Sequence, residues 1–152
     1  MIIGSEWKML RAILFDLYDT LAYIDIEDYR RTKQQMAAVA GVPTDVFIHQ
    51  WKQYTQSSAQ GQVLTTEERV ARVLQDLRIN LQLPLIYQLS KLEADLQEQS
   101  VHLFPGTKEV LTYISGTNLK LGLVTNTSLA TSRVLEILSI ESFFDVRVFS
   151  YS

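Results

Sequence analysis

The sequence predicts an α/β fold in which a parallel sheet of three strands carries a long helical insertion. Three observations predict it. A short apolar run ends in a carboxylate at Asp16, four segments with apolar residues at helical spacing follow up to about Ser100, and strand-like runs alternate with helices after Pro105. Strands joined through crossover helices in this way lie parallel, with right-handed connections.

The composition of the chain excludes several functional classes. The 152 residues suit one domain, or a small core with an inserted subdomain. The net charge is −3 and no Lys/Arg stripe occurs, so no nucleic-acid partner is expected. The absence of Cys excludes disulfides, thiolate zinc sites and cysteine nucleophiles. The amino-terminal region has no long apolar run, so we expect no signal peptide and no membrane partner, and a cytoplasmic protein is the default expectation.

The first strand is predicted over Ala12 to Asp16. Its apolar run, with Ile13, Leu14 and Phe15, is too short for a helix and favours a strand buried on both faces. A carboxylate at the carboxyl end of such a strand lies where open α/β sheets bind their ligands. Asp16 is therefore a candidate nucleophile. The alternative is an Asp that only caps the following turn.

Two helices are predicted after this strand. The first begins near Asp25 or Ile26, and Gly41 is well placed to end it. The second opens with Thr44 as its N-cap and continues to about Ala59. Both are expected to belong to the insertion.

Two more helices complete the insertion. Thr65 and Glu68 form a predicted capping box at the start of the third, and Pro84 begins the fourth. No strand-like run occurs between about residues 23 and 100. The fourth helix carries a ladder of leucines that we expect to pack inside a small bundle, with a partner-binding face as the alternative. The ladder comprises Leu85, Leu89, Leu92 and Leu96.

The second half of the chain alternates helix and strand. Helices are predicted over residues 107–115 and 130–138, and strands over residues 119–125 and 146–150. The inward-facing side chains of the two helices are expected to be Val110, Leu111, Ile114, Val134, Leu135 and Leu138.

The segment from Asp16 to Leu21 resembles the first motif of the haloacid dehalogenase superfamily of hydrolases. The usual form of that motif is Asp-x-Asp-Gly-Thr-Leu after a hydrophobic strand. Asp16 matches the nucleophile, and Thr20 matches the threonine. Tyr18 stands where the phosphatases carry a second Asp, and the true haloacid dehalogenases commonly have Tyr there. Asp19 stands where most members have Gly.

The two departures from the motif bear on the leaving group. An aspartyl nucleophile attacks phosphorus or an activated carbon and forms an ester that water later hydrolyses. A phosphoester expels an alkoxide, which benefits from a nearby acid, and a tyrosine with a pKa of about 10 is a poor acid. A halide leaves without a proton. Tyr18 therefore favours cleavage of a carbon–halogen bond, with cleavage of a phosphoester as the alternative. Asp19 could supply a displaced carboxylate, but a turn residue is the favoured interpretation.

The resemblance implies a Rossmann-like core and an all-helical cap. The core would comprise residues 1–22 and 101–152, and the cap residues 23–100. Segment 121–128 is similar to the family's second motif, in which Thr125 would hydrogen-bond the anionic group of the substrate.

The substrate site implied by the two motifs lies where the first and second strands end. Asp16 would be the catalytic residue. Backbone N–H groups near residues 127–129 would add to anion binding, because they begin a helix. The residues expected to contact the substrate or its anionic group are Thr125, Asn126, Tyr18 and Thr20.

Family members continue to a lysine and then to acidic residues, which in phosphatases complete a Mg²⁺ site. The sequence ends before either motif, and Lys120 lies at the wrong end of the sheet to replace that lysine. The resemblance implies Mg²⁺, held by Asp16, for a phosphatase-like enzyme and no cofactor for a dehalogenase-like one. The 152 residues alone are expected to be inactive. Without the family's further strands, the first strand would be an exposed edge open to self-association.

The expected function is hydrolysis of a small molecule through an aspartyl nucleophile, at a carbon–halogen or a phosphoester bond. The alternative is a non-catalytic fragment or pseudoenzyme that binds a protein partner. The substrate itself is not readable, because a pocket and not the core fold sets specificity.

Overall fold

The computed structural model describes residues 10–126 and 131–150. Its elements, in chain order, are β1 (Ala12–Phe15), β2 (Ala22–Ile24), α1 (Ile26–Ala40), α2 (Thr44–Gln53), α3 (Thr55–Ala59), α4 (Thr66–Asp76), α5 (Leu83–Gln99), β3 (Val101–Leu103), α6 (Thr107–Ser115), β4 (Lys120–Thr125), α7 (Thr131–Ile137), a 3₁₀ helix (Glu141–Phe143) and β5 (Val146–Phe149). The predicted α/β class is confirmed. No helix in this described part of the chain is both long and apolar enough to cross a bilayer.

The core of the fold is a parallel sheet in the order β1-β4-β5. Ile13 pairs with Leu121 and Leu14 with Gly122, so alternate residues of β1 and β4 face the same side. The helices α6 and α7 pack on the side that carries Ile13 and Leu121. Both lie on that side because two right-handed crossovers that advance in the same direction place their helices on one face.

The opposite face of the sheet is uncovered among the described residues. Leu14 is 67% exposed, and Val124, Val146 and Val148 are 43%, 55% and 46% exposed. The expectation that the first strand is buried on both faces is therefore wrong. The strand has apolar side chains on both of its faces, but among the described residues helices cover only the face that carries Ile13. Gly122 is buried because Leu14 leans over it, and a Cβ there would lie 2.4 Å from Leu14 Cδ2.

The helical insertion has its own apolar cluster. Residues from α1, α2, α4 and α5 form it, as the predicted bundle requires. Leu89 is fully buried in this cluster and Leu96 is also buried, while Leu85 and Leu92 pack against the cluster as partly buried side chains. The ladder of the fourth helix is thus a packing face. The cluster comprises Met36, Ala37, Phe47, Trp51, Val70, Val73, Leu74 and Leu89.

The ends of α1 follow the predicted signals. The Asp25 side chain accepts hydrogen bonds from the backbone N–H groups of Glu27 and Asp28, at 2.9 and 3.0 Å. Gly41 ends the helix in the left-handed conformation, with φ 72°. Burial of Met36 and Ala37 then fixes the face that α1 turns to its neighbours.

The second predicted helix differs from the structure in two respects. Pro43 is the N-cap, and Thr44 is the first helical residue, so the predicted Thr44 cap is wrong. The helix also breaks at Tyr54, which separates α2 from α3.

At α4 the predicted capping box is present: Glu68 N donates to Thr65 Oγ1 at 3.1 Å. The Glu68 carboxylate completes it by accepting from the N–H of Leu64, one residue before the cap.

Two short strands at the ends of the insertion were not predicted. β2 pairs with β3 in antiparallel fashion, with Tyr23 opposite His102. The Tyr23 ring also lies 4.9 Å from the Phe104 ring, measured between centroids. Each strand has three residues, too few for a periodic pattern. This pairing holds the two ends of the insertion together, at the point where the chain leaves the core and the point where it returns.

The second half of the chain matches its predicted elements to within a residue or two at their ends. Leu111 and Ile114 of α6 are buried, as are Val134, Leu135 and Leu138 on α7 and just after it. Val110 was expected to face inward but is 49% exposed. Thr107 takes an inward position of α6 instead, because its hydroxyl has a buried hydrogen-bond acceptor.

Candidate active site

Asp16 immediately follows β1 at the carboxyl end of the strand, and it is exposed. The next residue, Leu17, is fully buried and anchors the loop. Its carbonyl oxygen accepts hydrogen bonds from the N–H groups of Leu21 and Ala22, at 2.8 and 2.9 Å. The loop therefore folds back on Leu17 and leaves the Asp16 carboxylate open to solvent at the end of the sheet.

Asp19 has a φ of 60°, in the left-handed region. Its N–H donates to the carbonyl of Ala22 at 2.8 Å, which closes a turn. Gly adopts this conformation freely, and Asp is one of the few other residues that tolerate it. This backbone position supports the interpretation of Asp19 as a turn residue, and it explains why Gly suits the same place in the motif.

Tyr18 connects the motif loop to the helical insertion. The side chain is partly buried, and its hydroxyl donates a hydrogen bond to Gln97 Oε1 on α5 at 3.0 Å. Sequence reasoning missed Gln97, because no local pattern relates residues 79 positions apart. The contact places the hydroxyl of Tyr18 against a polar side chain of the insertion.

Thr125 is the last residue of β4 and is only 2% exposed. Its Oγ1 is buried without a hydrogen-bond partner among the described residues. Phe15 pairs with Leu123, so continuing the register brings Thr125 level with Leu17 and next to the Asp16 position. A buried hydroxyl without a partner costs about 1–3 kcal/mol, so this oxygen is a natural contact for a ligand atom.

The remaining expected contacts lie at the same end of the sheet. Thr20 is exposed in the motif loop, and Asn126 is exposed immediately after β4. The backbone N–H groups expected to bind an anion near residues 127–129 lie outside the described residues. The loop after β1 and the end of β4 thus bring Asp16, Thr125 and Asn126 to one edge.

Lys120 is absent from this edge. It begins β4 at the amino end, where its Nζ lies 2.8 Å from Asp145 Oδ1 in an ion pair. The other Asp145 oxygen accepts from the N–H of Leu121 at 2.9 Å. The hydrogen bond from Lys120 lowers the pKa of the Asp145 carboxyl. Lys120 therefore lies at the far end of the strand, as expected from the sequence, and pairs with Asp145 there.

The segment that returns from the insertion holds the motif loop in place. The carbonyl of Leu21 accepts two hydrogen bonds, from Phe104 N at 3.0 Å and from the buried Thr107 Oγ1 at 3.1 Å. Sequence reasoning assigned no role to Thr107. The one sequence feature that could have indicated this role is the position of Thr107 directly after Phe104-Pro105-Gly106, the segment where the chain re-enters the core.

A metal ion would find few protein ligands here. Among residues 10–126 and 131–150, no group of three or more His, Asp or Glu side chains is placed to hold one. Asp16 is the carboxylate that ends β1, and Tyr18 occupies the position two residues on. The described donor set does not by itself fit a complete Mg²⁺ site.

Comparison with known proteins gives a consistent family. The sequence model described as haloacid dehalogenase-like hydrolase matches residues 13–151. No curated protein is similar enough in sequence to match. Solved structures do match. A putative β-phosphoglucomutase from Thermotoga maritima is 21% identical with a TM-score of 0.56, over 93% of this chain and 62% of that one.

Two further structures share the fold. L-2-haloacid dehalogenase from Xanthobacter autotrophicus is 16% identical, with a TM-score of 0.54, over 93% of this chain and 57% of that one. The putative HAD-hydrolase YfnB from Bacillus subtilis, bound to magnesium, is 18% identical, with a TM-score of 0.59, over 91% and 64%. At these identities the likeness concerns the fold. The chain spans about three fifths of the length of these structures.

Proposed function

This chain belongs to the haloacid dehalogenase-like hydrolase family, and from that premise we propose that it hydrolyses a small molecule through a covalent ester on Asp16. The bond cleaved is carbon–halogen or phosphoester, and we favour carbon–halogen. One observation carries the proposal. An exposed carboxylate follows β1 at the same end of the sheet as the buried Thr125 hydroxyl, which has no partner among the described residues.

The proposed reaction has two steps. A carboxylate oxygen of Asp16 attacks the carbon that bears the halogen, a carbon–oxygen bond forms, and the halide leaves with the bonding electron pair. Water then attacks the carbonyl of the ester and the carbon–oxygen bond to the alkoxide breaks. One proton of the water goes to the alkoxide, which leaves as an alcohol, and the other goes to solvent, which restores the Asp16 carboxylate. Thr125 donates its hydroxyl hydrogen to an anionic group of the substrate, and Asn126 and Thr20 supply polar contacts at the same edge.

The environment of Tyr18 supports the preference for a halide. Its hydroxyl donates to Gln97 Oε1, so its proton is already engaged with the insertion. A leaving alkoxide needs a proton, whereas a halide needs none. A phosphoester remains the second possibility. Mg²⁺ would supply positive charge against the substrate and Asp16 would be the residue to hold it, but the described residues do not complete a site for it.

The experiment is to trap the ester. Because the 152 residues alone are expected to be inactive, the longest natural form of the protein is used. It is incubated with a short 2-halo acid, quenched with acid and digested, and the mass of the peptide that contains Asp16 is measured. We expect an adduct on Asp16 and none on Asp16→Asn. Asp19→Asn is the matched control, since Asp19 is another exposed carboxylate of the same loop, and it should still form the adduct. An adduct that persists in Asp16→Asn would overturn the assignment of the nucleophile.

One observation favours a second candidate function, binding of a protein partner without catalysis. The uncovered face of the sheet presents Leu14, Val124, Val146 and Val148. An exposed apolar patch on a sheet is a common docking surface. This candidate predicts no adduct on Asp16 with either class of substrate.

A further inference from the structure

The hydrogen bond between Tyr18 and Gln97 joins the motif loop of the core to α5 of the insertion. The hydroxyl of Tyr18 donates to Gln97 Oε1 at 3.0 Å, and both side chains are partly buried. A tyrosine has a single hydroxyl hydrogen to donate. While Gln97 accepts that hydrogen, it is not available to a group that leaves the substrate.

The motif loop fixes the Tyr18 end of this bond. The backbone of Tyr18 forms an isolated bridge with Ala22, and both Leu17 and Ala22 are fully buried. Two backbone hydrogen bonds fold the loop back on Leu17. The Tyr18 ring therefore starts from a backbone position that is anchored against the core, two residues after Asp16.

A packed helix fixes the Gln97 end of the bond. Gln97 lies near the end of α5, and Leu96 beside it is 3% exposed. Glu93, one turn before Gln97, forms the ion pair with the buried Lys33. The acceptor of the Tyr18 hydrogen is therefore supplied by a helix that is held on the interior of the insertion, and not by a surface loop.

The position of Tyr18 relates this bond to the leaving group. In the motif that residues 16–21 resemble, phosphatases carry an Asp at the place of Tyr18, and a leaving alkoxide benefits from such an acid. A tyrosine, with an ordinary pKa of about 10, is a poor acid but is still able to donate a proton. The tyrosine itself is thus one obstacle to the departure of an alkoxide, and the engagement of its hydrogen by Gln97 is a second.

We propose that Gln97 is a positioning residue that selects the leaving group of the reaction. By holding the hydrogen of Tyr18, it disfavours cleavage of bonds whose leaving group needs a proton, and it leaves the departure of a halide unaffected. This role rests on the proposed function, because it takes Asp16 as the nucleophile. Gln97 acts through Tyr18 and not on the reacting atoms.

Replacement of Gln97 should make a proton available to the leaving group. In Gln97→Met the hydroxyl of Tyr18 loses its acceptor. As Asp16 bonds to phosphorus and the bond from phosphorus to the alkoxide oxygen breaks, Tyr18 gives its proton to that oxygen. The phenolate that remains regains a proton from the water that hydrolyses the aspartyl phosphate.

The assay compares two leaving groups in the longest natural form of the protein. Release of halide from a short 2-halo acid and of phosphate from a small phosphate ester are measured in one buffer that contains Mg²⁺. In Gln97→Met we expect the ratio of kcat/KM for the ester to kcat/KM for the halo acid to rise about tenfold. A well-matched acid contributes about 10²–10⁴-fold, and tyrosine is a poor one. Both substrates are anions, so a change in charge near the site affects both.

Three matched variants separate this role from a structural one. Gln97→Glu should keep the parent ratio, because a carboxylate accepts the hydrogen of Tyr18 and has none of its own to donate. Gln99→Met, the same substitution at an exposed position two residues on, should also keep the parent ratio. In a Tyr18→Phe background the ratio should no longer respond to Gln97→Met, because the hydroxyl through which Gln97 acts is gone.

Urea unfolding checks that each variant is folded, and Gln97→Asn, which draws the acceptor back by one methylene, takes the place of Gln97→Met if that variant does not fold. In a parent that turns over either substrate, three results would each overturn the role of Gln97 and leave Asp16 as the nucleophile. They are an unchanged ratio in Gln97→Met, a ratio that rises as much in Gln97→Glu, and a rise that persists in the Tyr18→Phe background. A parent that turns over neither substrate and forms no adduct on Asp16 would overturn the proposed function, and the role of Gln97 with it.

Discussion

The buried pair of Lys33 and Glu93 makes a strong prediction for Glu93→Gln. The Lys33 side chain is 0% exposed and that of Glu93 is 12% exposed. Lys33 Nζ also lies 4.2 Å from the centroid of the Trp51 ring, so the ammonium is surrounded by protein. Gln keeps the shape of Glu93 but removes the one carboxylate that serves both Lys33 and Arg69. Removal of one partner from a buried pair costs about 3–5 kcal/mol, and we expect a loss of that size in the free energy of unfolding.

The partner substitution should cost less. Lys33→Met removes the buried ammonium, while Glu93 keeps a favourable interaction with Arg69. Lys33→Met/Glu93→Gln no longer buries an unpaired ammonium at position 33 and should recover about 1–3 kcal/mol relative to Glu93→Gln alone. Urea unfolding of the parent, both single variants and the double variant gives the coupling energy directly.

The pH dependence supplies an independent check. Burial lowers the pKa of Lys33, and Glu93 raises it back in part. In Glu93→Gln the folded-state pKa falls further, while the unfolded chain keeps its ordinary value of about 10.4. Between those two values the unfolded state binds more protons, so the stability of this variant rises with pH. Its deficit against the parent should therefore shrink between pH 7 and pH 9.5. A loss below about 1 kcal/mol at pH 7, or a deficit that grows with pH, would refute the assignment of a charged, buried pair.

Three further predictions concern the loop, the leaving group and the uncovered sheet. Asp19→Val should lower the free energy of unfolding, measured with urea, by about 1–2 kcal/mol, because the φ of Asp19 is 60°. Asp19→Gly should be neutral or stabilising. Equal stabilities of the Val and Gly variants would contradict the turn role of Asp19. With the longest natural form of the protein, a panel of short 2-halo acids and small phosphate esters, with and without Mg²⁺, should give halide release independent of Mg²⁺. Mg²⁺-dependent phosphatase activity would show that the interpretation of Tyr18 is wrong and would make Asp19 the acid to test. We propose that the chain self-associates at micromolar concentration through β1 and the exposed face, so Leu14→Lys should shift sedimentation toward the monomer, and a monomeric parent would exclude this.

Local patterns were enough to predict the parts of the fold and site that depend on neighbouring residues. Asp25 and Gly41 bound α1 because capping needs only residues in the first and last turns. Asp16 and Thr125 come to one edge because each ends a strand of a parallel sheet. The contacts between Tyr18 and Gln97 and between Thr107 and Leu21 join positions 79 and 86 residues apart. No periodicity relates such positions, so these contacts follow only from the packed structure.

The error about β1 has a different origin. An apolar run reveals that both sides of a strand are suited to burial, but it does not reveal whether anything covers each side. Ile13 is covered by helices that follow β1 in the chain, while Leu14, one residue later, is 67% exposed. The handedness of the crossovers decides which side is covered. The connections through α6 and α7 both step across the sheet in the same direction, from β1 to β4 and from β4 to β5, so both helices lie on one face. Strand composition therefore predicted the sheet correctly and its burial incorrectly.

The helix α5 connects the chemistry of the motif loop to the interior of the insertion. Glu93 and Gln97 stand one turn apart on it, on the same face, and both line a cavity whose walls come from α3, α4, α5 and α7. Glu93 holds Lys33 inside the insertion, and Gln97 accepts the hydrogen bond of Tyr18, two residues after Asp16. Because both side chains project from the same helix of 17 residues, we expect a change that repacks Glu93 to shift the acceptor of Tyr18 as well. On the proposed mechanism, the position of the Tyr18 hydroxyl would therefore depend on the charges buried in the insertion as well as on the residues of the motif.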